Sequence, residues 1–192
     1  MALVLTRAPT TEPVSLADIK AHLRITGTSE DVVLSSLLLT SRLHVETALG
    51  LALTSQGWMV TLDDWPPAGV LHLPIRPLLS VDAVRVLPAS GAPAVLHPST
   101  YVVDTTGWRG RIVRAFGADW PRPGKAANGI EIDMTAGFGA AASDVPAPIR
   151  QALLLLVAHW YERRDPIDIG AKETRIPAAV SSLLEPYVEK RL

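Results

Sequence analysis

The stretch from Pro146 to Asp165, PAPIRQALLLLVAHWYERRD, constrains the fold more than any other part of the sequence. Pro146 and Pro148 suit only the first turn of a helix, where their missing N–H groups would have had no intrahelical partner. Asp165 precedes Pro166, a pairing that disfavours helical backbone and marks the other end. Between these limits Ile149, Leu153, Leu156, Val157 and Trp160 recur at helical spacing, and Ala152 to Ala158 is apolar on every side. Such a helix must be covered all round, by its own fold or by a neighbouring subunit. It is too short to cross a bilayer, which needs about 20 apolar residues. A core role is the simpler reading for Leu153 and Leu156. The second reading places Leu153, Leu154, Val157 and Tyr161 at a subunit interface. Arg163 and Arg164 then form an inter-subunit salt-bridge belt; the plain alternative is a solvated cap that meets the negative end of the helix dipole.

The remaining composition limits the function classes. A chain of 192 residues with 48% apolar content fits one domain or two small ones with a real core. A formal net charge of −1 gives no basic stripe for gripping nucleic acid. With no cysteine, disulfide staples and thiol catalysis are excluded. The opening MALVLTRAPTTEP lacks the basic and apolar regions of a signal peptide, so a soluble, cytosolically made protein with no membrane partner is expected.

In chain order, residues 1–13 read as a polar, proline-punctuated N-terminal arm. Residues 14–55 read as a helical hairpin. Ser15 and Asp18 have capping-box spacing, Val14 and Ile19 suit a hydrophobic staple, and Gly27 is expected to stop the first helix. Thr28 and Asp31 repeat the capping pattern for a second helix whose inner face carries Leu34, Leu37, Leu38, Val45, Ala48 and Leu49. Arg42 and Glu46 are expected on its outside, and Gly50 ends it. Residues 56–139 read as a β-rich antiparallel insertion. The period changes to 2 at Trp58, Val60 and Leu62, and short strands follow near Leu71 to Ile75, Val84 to Val86, Tyr101 to Val103 and Arg111 to Arg114. Ile130, Ile132 and Met134, behind the Asn128-Gly129 turn signal, give the cleanest strand. Residues 140–192 supply the central helix and a final helix that Pro177 opens and Pro186 divides. The expected fold class is α+β: a helical hairpin, a β-rich insertion, and two C-terminal helices packing on the hairpin.

No catalytic, cofactor-binding or metal-binding motif is present. His22, His44, His72, His97 and His159 show no metal-ligand spacing. Asp63-Asp64 reads as a turn before Trp65-Pro66, because neighbours on a strand point to opposite faces. Gly137-Phe138-Gly139 is too short for a phosphate loop and has no βαβ context. Trp58, Trp65, Trp108 and Trp120 lack the interleaved basic residues of a base-stacking platform.

The ordered set VSLADIKAHLRI, EDVVLSSLL, SRLHVETALG, WMVTLDDWP, LPIRPLLSV, YVVD, GADWP, IDMTAGFG and VPAPIRQALLLLVAHWYERRD resembles the tailed-phage head–tail connector family. These are the adaptor or head-completion proteins that phage-like gene transfer agents also carry. The resemblance runs from about Val14 to Tyr187. It implies a virion protein without catalysis or cofactor, made in the host cytoplasm. It also implies a homo-oligomeric ring, expected to be dodecameric, beneath a portal protein. The ring presents a surface for a downstream stopper or tail component, and DNA passes through without specific binding. The C-terminal segment, with Ile176, Leu183, Leu184, Tyr187 and Val188, is the expected portal-docking part, since a short amphipathic helix suits a partner's groove. The alternatives are a small β-domain binding module and a hydrolase using His72 or His97.

Overall fold

The computed structural model describes residues 1–163 and 176–189. The chain is α+β and divides into two compact units, each built from two separate stretches of sequence. Met1–Thr10 joins Gly50–Ala140 in a β unit, and Thr11–Leu49 joins the C-terminal part from Ala141 in a helical unit.

The β unit holds eight strands. One sheet has the order β1 (Ala2–Arg7), β2 (Gln56–Leu62), β8 (Ile130–Ala136), β4 (Leu78–Val86) and β5 (Ala94–Val95). A second sheet has the order β3 (Val70–His72), β7 (Arg111–Arg114) and β6 (Tyr101–Asp104). All pairings between these strands are antiparallel. β8 lies at the centre, and its alternation is the reason. Ile130, Ile132, Met134 and Ala136 are buried, while Glu131, Asp133 and Thr135 are half-exposed on the other face. Val60 and Val84 flank Ile132 in register, and all three join one core with Leu71, Leu73 and Ile112.

Local details explain several sequence signals. Asn128 takes a left-handed backbone at φ 52, its N–H donates to Asp63 Oδ1 at 2.9 Å, and its Oδ1 accepts from Thr61 Oγ1 at 2.8 Å. Asp64 accepts from the Trp65 N–H at 2.8 Å. Both carboxylates are therefore occupied in turns, as expected. Gly137 has φ 141, and a Cβ there would sit 2.6 Å from the Thr54 backbone. The Gly-Phe-Gly segment is a backbone crossing: the Ser55 N–H donates to the Gly139 carbonyl at 2.8 Å.

The expected N-terminal arm carries β1, paired with β2 from Ala2↔Thr61 onward. β5 forms within the proline-rich turn region, beside Val86 and Arg85.

The helical unit contains α1 (Leu16–Leu23), α2 (Asp31–Leu49), α3 (Ala147–Glu162) and α4 (Ala178–Leu184). The Ser15–Asp18 capping box forms in both directions, and Val14 and Ile19 are both buried. Three sequence expectations are corrected in this unit. α1 stops at Arg24, whose φ of 58 turns the chain, so Gly27 is not the stop. α2 begins at Asp31, so Thr28 lies outside the helix and makes no capping box with it. Arg42 and Glu46 are buried, not outside. Arg42 Nε donates to Glu12 at 2.8 Å and its NH1 group to Glu46 at 2.9 Å. Burial of the guanidinium is tolerable because two carboxylates hold its charge. The α2 core stripe therefore runs through Leu34, Leu38, Ser41, Arg42 and Val45, while Ala48 is exposed. α3 is central here, packing against α1, α2 and α4. The last helix thus rests on α3 more than on the hairpin.

Candidate assembly surfaces

α3 starts on Pro146, with Pro148 in its first turn, and ends when the Arg163 N–H donates to the His159 carbonyl at 3.2 Å. Its own unit covers one side of it. Ala152, Leu153, Leu156 and Val157 are fully buried, whereas Leu154, Leu155 and Ala158 are half-buried. Leu153 and Val157 are therefore withdrawn as interface residues, because their side chains are enclosed by their own fold. Leu154 and Tyr161 keep accessible surface, and Arg163 is exposed. Arg164 lies outside the described residues, as does most of the loop from Ile167 to Ile176.

Leu154 lines a groove of about 490 Å³ with Arg150, Gln151, Asp18 and His22, between α1 and the first half of α3. Its lining mixes the aliphatic Val14, Ala21 and Leu154 with those polar side chains. Asp18 has its pKa lowered, mainly by the Ser15 hydroxyl and then the Ser15 N–H, with a smaller contribution from the Arg150 charge. That shift comes from helix capping and does not signal acid–base chemistry.

The docking candidates fall on and beside α4. Val180 is fully buried, Leu183, Leu184 and Tyr187 are half-buried, and Ile176 and Val188 are exposed. α4 ends at Leu184, and Pro186 sits in a 3₁₀ turn over Glu185–Tyr187, so the division at Pro186 is real.

Features of the enzyme alternative do not converge. His97 Nδ1 accepts from the Ser99 N–H at 3.3 Å and caps a 3₁₀ turn, while His72 is an exposed strand residue opposite Arg111. Among the described carboxylates the largest shift belongs to Asp104, lowered to about 2 by the Thr106 hydroxyl, the Thr106 N–H and Arg111, at the half-buried end of β6. Among the described residues no cluster of three or more potential metal ligands occurs. Trp65 and Trp120 stack with centroids 4.3 Å apart, and Trp58 packs on the core.

Two apolar surfaces lie outside the sequence expectations. β1 exposes Leu3, Val4 and Leu5, and α2 exposes Val32, Leu39 and Leu43 along one side. The run Ala2 to Leu5 is visible in the sequence, but nothing local marks it as paired.

The sequence profile of the phage gp6-like head-tail connector protein family matches residues 13–82. A chain from the neck of an empty gene transfer agent particle, computed with C6 symmetry, superposes with a TM-score of 0.84 at 30% identity. The match covers 100% of this chain and 97% of that one. The chain belongs to the phage gp6-like head–tail connector family. A chain from the virion of a native gene transfer agent particle matches this connector at 31% identity and TM-score 0.83. Another, from a native particle neck computed with C12 symmetry, matches at 30% and 0.81. Both matches cover 100% of the connector and 97% of the other chain. No protein with a curated description matches it. The family and these neighbours are structural particle components.

Proposed function

We propose that this connector closes into a ring, expected to be dodecameric, beneath the portal at the head–tail interface of a phage or phage-like particle. The ring extends the DNA channel and offers its far side to a stopper or tail component. One observation carries this reading: likeness along the whole chain to neck chains of particles computed with C6 and C12 symmetry. Leu154, Tyr161 and Arg163 are the proposed lateral contacts of α3. Ile176, Leu183, Leu184, Tyr187 and Val188 are the proposed portal-facing residues. A net charge of −1 suits a conduit that lets DNA slide, because affinity for phosphates grows with the number of neutralising cations.

Electron microscopy of the connector mixed with its portal is the test. Rings stacked coaxially on the portal are expected; unassembled connector beside bare portals overturns the reading. A mobility-shift titration at physiological salt is expected to show only weak, sequence-independent DNA binding, and sub-micromolar affinity would contradict the conduit role.

A further inference from the structure

We propose that β1 is a lateral joint of the ring: its free edge and apolar side chains pair with a different surface of a second copy of this chain. The inference rests on the ring reading above and adds the segment through which copies meet.

β1 is the outermost strand of the five-stranded sheet, and all six of its residues are exposed. Among the described strands β2 alone pairs with it, so the backbone groups on its other edge face outward. Its side chains are apolar on both faces. Leu3 and Leu5 lie opposite Val60 and Trp58, continuing the core-side layer past its rim, while Val4 lies opposite Met59 on the other face. Leu3, Val4 and Leu5 remain 36%, 46% and 44% exposed.

A bare edge of this kind templates pairing with another chain, and proteins blunt such edges with shortness, proline or charge. The other sheet ends in this chain follow that rule. β5 is two residues long and preceded by Pro93, β3 is three residues long and followed closely by Pro74, and β6 ends in the charged Asp104. β1 is guarded only at its C-terminal end, by Arg7 and Pro9, and it is longer than the other three: the five residues from Ala2 to Thr6 carry no proline and no charge. Uncharged apolar contacts are characteristic of permanent homo-oligomers.

The relatives' cyclic symmetry supplies the occupant. Copies related by rotation about one axis touch through two different surfaces, so each subunit needs heterologous faces covered by its neighbours. Pairing β1 with another β1 would close a two-fold dimer and end there. β1 therefore meets a non-identical surface of the next copy.

Because the sequence has no cysteine, single substitutions give clean thiol probes. Val4→Cys and Leu5→Cys are made in the full-length connector, with Phe116→Cys on an exposed turn as the control. Native mass spectrometry first establishes the ring, alone or on portal; failure of the wild type to form any ring sinks the ring reading and this inference with it. In an assembled ring, maleimide labelling of the thiols introduced at positions 4 and 5 is expected to be lost. Both thiols remain reactive in free monomer, and the control reacts throughout. Full reactivity at positions 4 and 5 within an intact ring overturns the joint and leaves the ring standing. So does protection that develops only when portal is added to a preformed ring, which assigns β1 to the portal. Hydrogen exchange on the wild type provides a readout free of substitution: amides of Ala2 to Thr6 that exchange fast in monomer must slow in the ring. Unchanged exchange there overturns the pairing.

Discussion

β8 and β1 belong to the same sheet and are held there by opposite means. β8 is central, and each alternate side chain from Ile130 to Ala136 is enclosed. β1 is peripheral, with every residue exposed, and its backbone ladder to β2 keeps it extended. Burial dictates the first and pairing the second. A period-2 pattern records burial, which is why β8 can be read from sequence while β1 reads as an arm. The partner of Leu3 is Val60, far along the chain, and no local residue encodes that meeting. Stability should therefore concentrate in β8 and assembly in β1.

The sharpest way to break this contrast is to place the same charge in both strands. Ile132→Asp buries a carboxylate with no partner, and the β unit is expected to lose several kcal/mol and unfold. Val4→Asp is expected to change unfolding free energy by no more than about 1 kcal/mol, the span of strand propensities at exposed positions. Chemical denaturation followed by circular dichroism reads both. A large loss from Val4→Asp would show that β1 carries subunit stability after all.

The same contrast exists within α3, between neighbouring leucines. Leu153→Ala empties a fully enclosed site and should cost about 2–5 kcal/mol. Leu154 is half-buried in a groove, so Leu154→Asp is expected to leave the melting curve nearly unchanged while abolishing ring formation in native mass measurements. Rings of normal mass from Leu154→Asp would remove it from the interface, and an unfolded variant would place it in the core.

α3 shows how far sequence reasoning reaches. Its limits are legible from Pro146, Pro148 and Asp165-Pro166, because backbone chemistry there is local. Which of its apolar sides its own unit covers is not legible, because that depends on α1, α2 and α4 together. An outward placement of Leu153 and Val157 fails for that reason. Arg42 is hidden differently. Its spacing to Glu46 is that of a surface pair, and only Glu12, thirty positions away, closes the charge balance that allows burial. The return of the C-terminal helices to the hairpin around a β-rich insertion is legible, but the joining of Met1–Thr10 to the β unit is hidden, since nothing local in that arm records its pairing with β2.

Capping offers a smaller, purely local test. Ser15 accepts from the Asp18 N–H at 3.1 Å, and Asp18 accepts from the Ser15 N–H at 3.0 Å. Ser15→Ala should cost about 1 kcal/mol of stability, the usual loss for an N-cap. The effect should be confined to the helical unit, with amides of α1 exchanging faster and those of β8 unchanged. Faster exchange in β8 would show that the two units unfold as one.

The smallest expected effect concerns Asp104, at the far end of the contrast: half-buried, held by neighbours a few residues away, and outside the hydrophobic core. Its carboxylate accepts from the Thr106 hydroxyl at 2.6 Å, the Thr106 N–H at 3.0 Å and Arg111 Nε at 2.9 Å. All three favour the charged form, which brings the pKa from 3.8 to about 2. A carboxylate whose folded pKa is depressed contributes stability that is complete above its unfolded pKa. The contribution fades as pH falls through the folded value. The window here is thus pH 3.8 down to about 2, below any neutral assembly condition. A carbon-13 NMR titration is expected to place the Asp104 midpoint near 2. Thr106→Val, which removes the hydroxyl donor while keeping the β-branched shape, should raise that midpoint. Removing the hydroxyl without any rise would show that Arg111 and the Thr106 N–H suffice to hold the charge. A wild-type midpoint at the ordinary 3.8 would mean that these local bonds do not persist in solution, and that exposed segments of this connector are ordered only by what they pair with.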